Sequence, residues 1–177
     1  ILVSLFLFTG SAFAYGYPRW FSMPLTVYMP KTENTVAVQS AFKAWQTGTK
    51  STVRFIFRTS KNLANISNIN VIFVDRLSDN KAYIVRNRFA QFGGCRTCGN
   101  RYFNNSDVMI ATKDADGNEL PPDKIKAVTM QAVGQIVGVP LSEDENSIMF
   151  KDSDFTKSSV TQDAVKSVWR LYKPSYR

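Results

Sequence analysis

Histidine is absent from all 177 residues. Its absence excludes a histidine-ligated catalytic zinc, a histidine general base and the Ser–His pair of many hydrolases. Cysteine is almost absent: only Cys95 and Cys98 occur, so the chain cannot build a four-cysteine zinc site by itself. Past residue 14 no apolar run approaches the roughly 20 residues that a membrane-crossing helix needs. Repeats and low-complexity tracts are also lacking.

The chain does have apolar mass and positive charge. Hydrophobic residues make up 44%, which suits one folded domain with its own core and does not suit a disordered chain. Lysine and arginine outnumber aspartate and glutamate by 22 to 14, a formal charge of +8. That balance favours loose attraction to anionic surfaces or polymers and carries no sign of specific nucleic-acid recognition. A solvated basic surface is the simpler account of it.

Residues 1–14 carry no charge, are mostly apolar and end in Ala12-Phe13-Ala14, a small-x-small cleavage pattern. They read as the tail of a secretory signal peptide, which leaves 15–177 as a single domain that is secreted or held in the cell envelope or periplasm. No transmembrane segment is expected once the signal is removed.

The mature part alternates strand and helix patterns. Pro24 to Met29 is rich in β-formers between two prolines, and Thr52 to Arg58 alternates apolar and polar. Ile69 to Val74 is a continuous apolar run, the mark of a strand covered on both faces. A short strand is expected at Ala82 to Val85 and another at Ser106 to Thr112. Helical spacing marks Glu33 to Gly48, Pro121 to Val137 and Thr161 to Tyr172; Gly48 and Gly138 act as stops, and Pro121-Pro122 as a start. The expectation is an α/β (α+β) domain, a small mixed sheet with helices packed on it.

Leu77 to Tyr102 is a long excursion that holds both cysteines within Gly93-Gly94-Cys95-Arg96-Thr97-Cys98-Gly99. In an exported protein such a pair most simply makes one local disulfide; a redox-active pair and half of a zinc site are the alternatives. Arg76, Lys81, Arg86, Arg88, Arg96 and Arg101 are interleaved there with Tyr83, Phe89, Phe92, Tyr102 and Phe103. The segment 76–103 can serve as a polyanion- or glycan-binding surface, or simply as a solvated loop with its own small aromatic core. Asp114, Asp116 and Asn118 suit a tight turn better than a calcium loop, because the downstream bidentate glutamate is missing.

The order of elements and the segment Met130 to Phe150 resemble the matrixin branch of the metzincin zinc peptidases. Those enzymes carry H-E-x-x-H-x-x-G-x-x-H, with two histidines on one helix face, a glutamate that polarises the zinc-bound water, and a glycine that lets the chain turn a third histidine to the metal. Aligned on that motif, the three histidines fall on Gln131, Gln135 and Leu141, the glutamate on Ala132 and the glycine on Gly138. Asn146-Ser147-Ile148-Met149-Phe150 resembles the methionine turn. Ala41-Phe42…Trp45, Ile69 to Asp75 and Arg170-Leu171-Tyr172 are similar to the first helix, central strand and closing helix of the family.

The resemblance implies a metzincin-like zincin fold: a small twisted mixed sheet, two long helices, a methionine turn and a C-terminal helix. It also implies that Asp107, Val108, Met109 and Ile110 lie on the edge strand that pairs with a substrate peptide. The family's structural-metal histidines in the excursion are absent too. With every zinc ligand and the base replaced, no metal and no cofactor are expected. Glutamine offers only a neutral amide oxygen, and alanine no acid or base. The expected function is therefore that of a pseudopeptidase that holds a peptide or protein in the former substrate cleft. The alternatives are an active metalloendopeptidase-like enzyme with an atypical site, or an envelope- or polyanion-binding module. Leu141 is expected to be a core residue beside Gln131 or Gln135 and near Met149, replacing the tie that a metal would provide.

Overall fold

A computed structural model describes residues 18–89 and 102–172. The signal-like segment 1–14 and the Cys95/Cys98 pair lie outside the described residues. Strands β1 (Arg19–Trp20), β2 (Leu25–Tyr28), β3 (Phe55–Arg58), β4 (Ile69–Val74), β5 (Tyr83–Phe89) and β6 (Tyr102–Ala111) form one sheet. Three α-helices accompany it: α1 (Thr35–Gly48), α2 (Pro122–Ile136) and α3 (Gln162–Tyr172). The result is a mixed α/β domain.

The strand order is β3-β2-β4-β6-β5, with β1 pairing the amino-terminal end of β6. Every pair is parallel except β5–β6. The parallel strands need crossovers, and α1 supplies the one between β2 and β3. The long excursion is the antiparallel strand β5 and the first part of β6, joined through residues outside those described. The strand expected at Ala82 to Val85 is real but longer, running to Phe89.

Two sequence-based expectations are corrected here. First, β6 is not an edge strand. Asp107, Val108, Met109 and Ile110 pair with Asn70, Val71, Ile72 and Phe73 on one side and with Arg86, Val85, Ile84 and Tyr83 on the other. The excursion folds back on β6 and covers the edge, so β5 becomes the border of the sheet. Second, β4 is not covered on both faces. Ile69 and Val71 are buried, but Ile72 is 40% exposed. The apolar run signals position in the middle of a sheet whose far face is open.

The core lies between the sheet and the helices. Ala37, Val38, Ala41, Phe42 and Trp45 of α1 are buried together with most of α2. Burying side chains such as Val38 and Phe42 contributes about 1.5–3 kcal/mol each. Trp45 also donates its indole N–H to the Met130 carbonyl at 2.7 Å. The carbonyls at the end of α2 are satisfied from elsewhere in the chain: Trp20 Nε1 donates to Ile136 O at 2.8 Å and the Tyr172 hydroxyl to Val137 O at 2.9 Å. These bonds fix the carboxyl-terminal half of α2 against both ends of the domain.

Candidate functional site

Gly134 brings α2 close to the turn at Ser147-Ile148-Met149. A Cβ placed on it would lie 2.2 Å from Met149 Sδ and 2.8 Å from Trp45 Cζ2. Gly138 ends the helix with φ +88°, a left-handed conformation that favours glycine, and a Cβ there would meet the Pro18 carbonyl oxygen at 2.2 Å. The chain beyond it returns through a bridge between Ser142 and Phe150, closed by Ser142 N–H to Met149 O and Lys151 N–H to Ser142 O at 2.8 and 3.0 Å.

The turn is anchored on its other side by α3. The Ser147 hydroxyl donates to Asp163 Oδ2 at 2.5 Å and accepts the Met149 N–H at 3.0 Å, while Thr161 Oγ1 accepts the Ile148 N–H at 3.1 Å. Burial opposes ionisation of Asp163. Hydrogen bonds from Ser147, Thr161 and the Ala164 N–H outweigh it and hold the carboxyl below its ordinary range. Met149 is buried beneath α2, against Gly134.

On the groove side of α2, Gln131 and Gln135 stand one turn apart on the same face. Tyr83, at the start of β5, reaches between them. Its hydroxyl donates to Gln131 Oε1 at 3.0 Å and accepts from Gln135 Nε2 at 2.8 Å. Gln131 Nε2 then donates to the Phe150 carbonyl at 2.5 Å. The direction is consistent along the whole chain: Gln135 to Tyr83 to Gln131 to the loop. Asn87 adds a longer bond from Nδ2 to the Gln135 carbonyl at 3.4 Å. Gln131 is only 2% exposed, so an unpaired amide there would be costly. Burial pushes the Tyr83 phenol well above its ordinary pKa, with the Gln135 hydrogen bond opposing, so it is a neutral hydroxyl able to donate and accept at once.

Zinc does not fit these residues. The Gln131 and Gln135 amides are tied to Tyr83 and Phe150, Ala132 is buried and offers no donor, and Leu141 is apolar. Among the described residues no three Cys, Asp or Glu side chains gather as a metal site would require. The groove holding this network has a volume of about 700 Å³, and β5 residues Tyr83, Ile84 and Val85 form one wall. Lys151, Asp152 and Ser153 lie opposite.

Leu141 corrects the expectation made for it. It lines the groove with Gln131 and Gln135 but is 48% exposed, so it is not a core residue. The Gln131–Tyr83–Gln135 network, and not Leu141, joins helix, sheet and loop. Sequence reasoning placed Tyr83 only among the aromatics of the excursion; 48 residues of chain separate it from Gln131, and nothing local marks the contact.

The remaining candidates separate. Asp114 accepts the Asp116 and Asn118 N–H groups and the Asn118 amide, so that segment is a turn, with Gly117 at φ +94°. Of the basic excursion, Phe92, Arg96 and Arg101 lie outside the described residues; among the rest, Arg88 pairs with Asp107, Lys81 with Asp79, and Phe103 is buried against Trp20 and Phe89. No helix among the described residues is long and apolar enough to cross a membrane. No family model matches this chain, and no curated protein matches it.

Proposed function

We propose that this chain is an exported, non-catalytic protein on a metzincin-like scaffold, a pseudopeptidase that binds an extended peptide or protein segment in its groove. The observation that carries the reading is the Gln135–Tyr83–Gln131–Phe150 chain of hydrogen bonds at the positions that the motif assigns to two zinc ligands. A polar network in place of a metal keeps helix, sheet and loop together without supplying a Lewis acid or a base. The glycine break, the buried methionine turn and the mixed sheet bordered by an antiparallel strand support the scaffold assignment.

Binding is favoured by the position of β5. Among the described residues it pairs only with β6, and its first residues wall the groove. A sheet border beside a groove suits strand addition, in which main-chain hydrogen bonds hold the peptide and alternate side chains select it. The test is a single sample of purified, exported protein, analysed for bound zinc, for hydrolysis of a mixed peptide library, and for amide chemical-shift changes on adding that library. The expected result is no stoichiometric zinc, no cleavage, and shifts centred on Tyr83 to Val85 and Gln135. One zinc per chain with cleavage abolished in Gln131→Ala would overturn the non-catalytic reading. Shifts absent from β5 would overturn the binding reading.

A further inference from the structure

A second pocket, of about 240 Å³, adjoins the groove, sharing Asn80, Lys81, Ala82 and Phe155 with it, and lies between the Asp114 turn, the segment before β5 and the first turns of α2. Its inner surface is apolar, formed by Leu77, Ala82, Ala111, Leu120, Val128 and Phe155. Its mouth is basic, with Arg76, Lys81, Lys113 and Lys124 against a single acid, Asp114. That acid is occupied by the hydrogen bonds of its own turn.

The four cations are not equivalent. Lys113 is balanced by Asp75 and Glu119, and Lys81 by Asp79. Neither Arg76 nor Lys124 is ion-paired among the described residues. Their surroundings differ. Arg76 lies over Gly117, where a Cβ would come within 2.5 Å of its guanidinium. Lys124 donates to the Asp154 carbonyl and lies over the Phe155 ring, 5.6 Å from its centroid. Phe155 itself has φ +57°, sparsely populated by residues with a side chain, and its ring packs edge-on to Tyr83. An apolar hollow rimmed by Arg76 and by Lys124, whose charge also acts on the nearby Asp154 carboxylate, matches a ligand with an apolar body and one anionic head. The volume exceeds the roughly 150 Å³ of an apolar cavity that admits benzene, so a short alkyl chain or one ring is accommodated.

We propose that this pocket binds a small amphipathic carboxylate, with its hydrocarbon part against Leu120, Val128 and Phe155 and its carboxylate between Arg76 and Lys124. The inference stands apart from the peptide reading, because Arg76, Lys113 and Lys124 line this pocket and not the groove, although Lys81 and Phe155 border both.

The test titrates the full chain with octanoate, 1-octanol and octylamine, following backbone amide shifts. Octanoate is expected to bind in fast exchange, to shift Ala82, Lys113 and Leu120, and to bind about tenfold more tightly than either uncharged or cationic analogue. Arg76→Gln and Lys124→Gln are each expected to remove about tenfold of that affinity, and raised salt to weaken it. The two substitutions lie on different sides of the mouth, so one remains informative if the other unfolds, as judged by circular dichroism. Equal binding of all three probes, an unchanged affinity in the folded variant, or octanoate shifts centred on Tyr83 and Gln135 would each overturn the proposal.

Discussion

The inner and outer faces of α2 solve different problems. The inner face, with Gly134 against Met149 and Trp45, is governed by volume: there is no room for a methyl group. The groove face is governed by pairing. There the side-chain amides of Gln131 and Gln135 each meet a partner of the right polarity. What the groove face requires is that buried polar groups be satisfied, and a tyrosine does that as well as an ion would.

The largest effect is expected on the inner face. Trp45→Ala removes a fully buried ring and its bond to Met130, and should cost about 3–5 kcal/mol in urea unfolding; a cost near zero would mean that the two helices do not pack as described. Gly134→Ala comes next. Overpacking against Trp45 and Met149 typically costs about 1–3 kcal/mol, offset by about 1 kcal/mol of helix propensity, so a net loss is expected, and a stabilised variant would break the claim that volume rules this face.

On the groove face, Tyr83→Phe leaves the Gln131 oxygen and the Gln135 amide without their shared partner, and should cost about 1–3 kcal/mol. It also carries a pH signature. Burial holds the Tyr83 phenol above its ordinary pKa in the folded state, and the same is true of Tyr172. An unfolded phenol ionises near pH 10. Below that pH the stabilisation is fully present; as pH rises past it, the unfolded state releases a proton that the folded state keeps, and stability falls. Unfolding measured from pH 8 to 11 should therefore show an alkaline decline in the parent, and a shallower one in Tyr83→Phe, by at most about 1.4 kcal/mol per pH unit. An unchanged slope would place the phenol in water. The smallest effect is expected at Leu141. At 48% exposure, Leu141→Ala should change stability by no more than about 0.5 kcal/mol; a loss of several kcal/mol would return it to the core and sharpen the similarity of the two faces.

Ile69–Val74 was legible to the residue, because six apolar-rich residues between turn signals permit little else. The three helices were legible within one or two residues, from spacing and from their proline and glycine boundaries. The Arg19–Trp20 strand was not, since two residues carry no period; the edge position of β6 came from the family resemblance, and strand alternation could not correct it because it does not say how many neighbours a strand has.

By itself the sequence determined what chemistry is excluded. A chain with no histidine has no imidazole in any fold, and amides at 131 and 135 remain amides wherever they lie. It also determined the helices and most strands, because hydrophobic period is a local property. Only the tertiary structure decided that Tyr83 crosses to α2, that β5 and not β6 borders the sheet, that Leu141 faces the groove, and that Arg76 and Lys124 meet at one pocket. Each of these joins residues tens of positions apart, and which side chains meet at such separations is set by how the helices and sheet close together, a property that no short window of sequence contains.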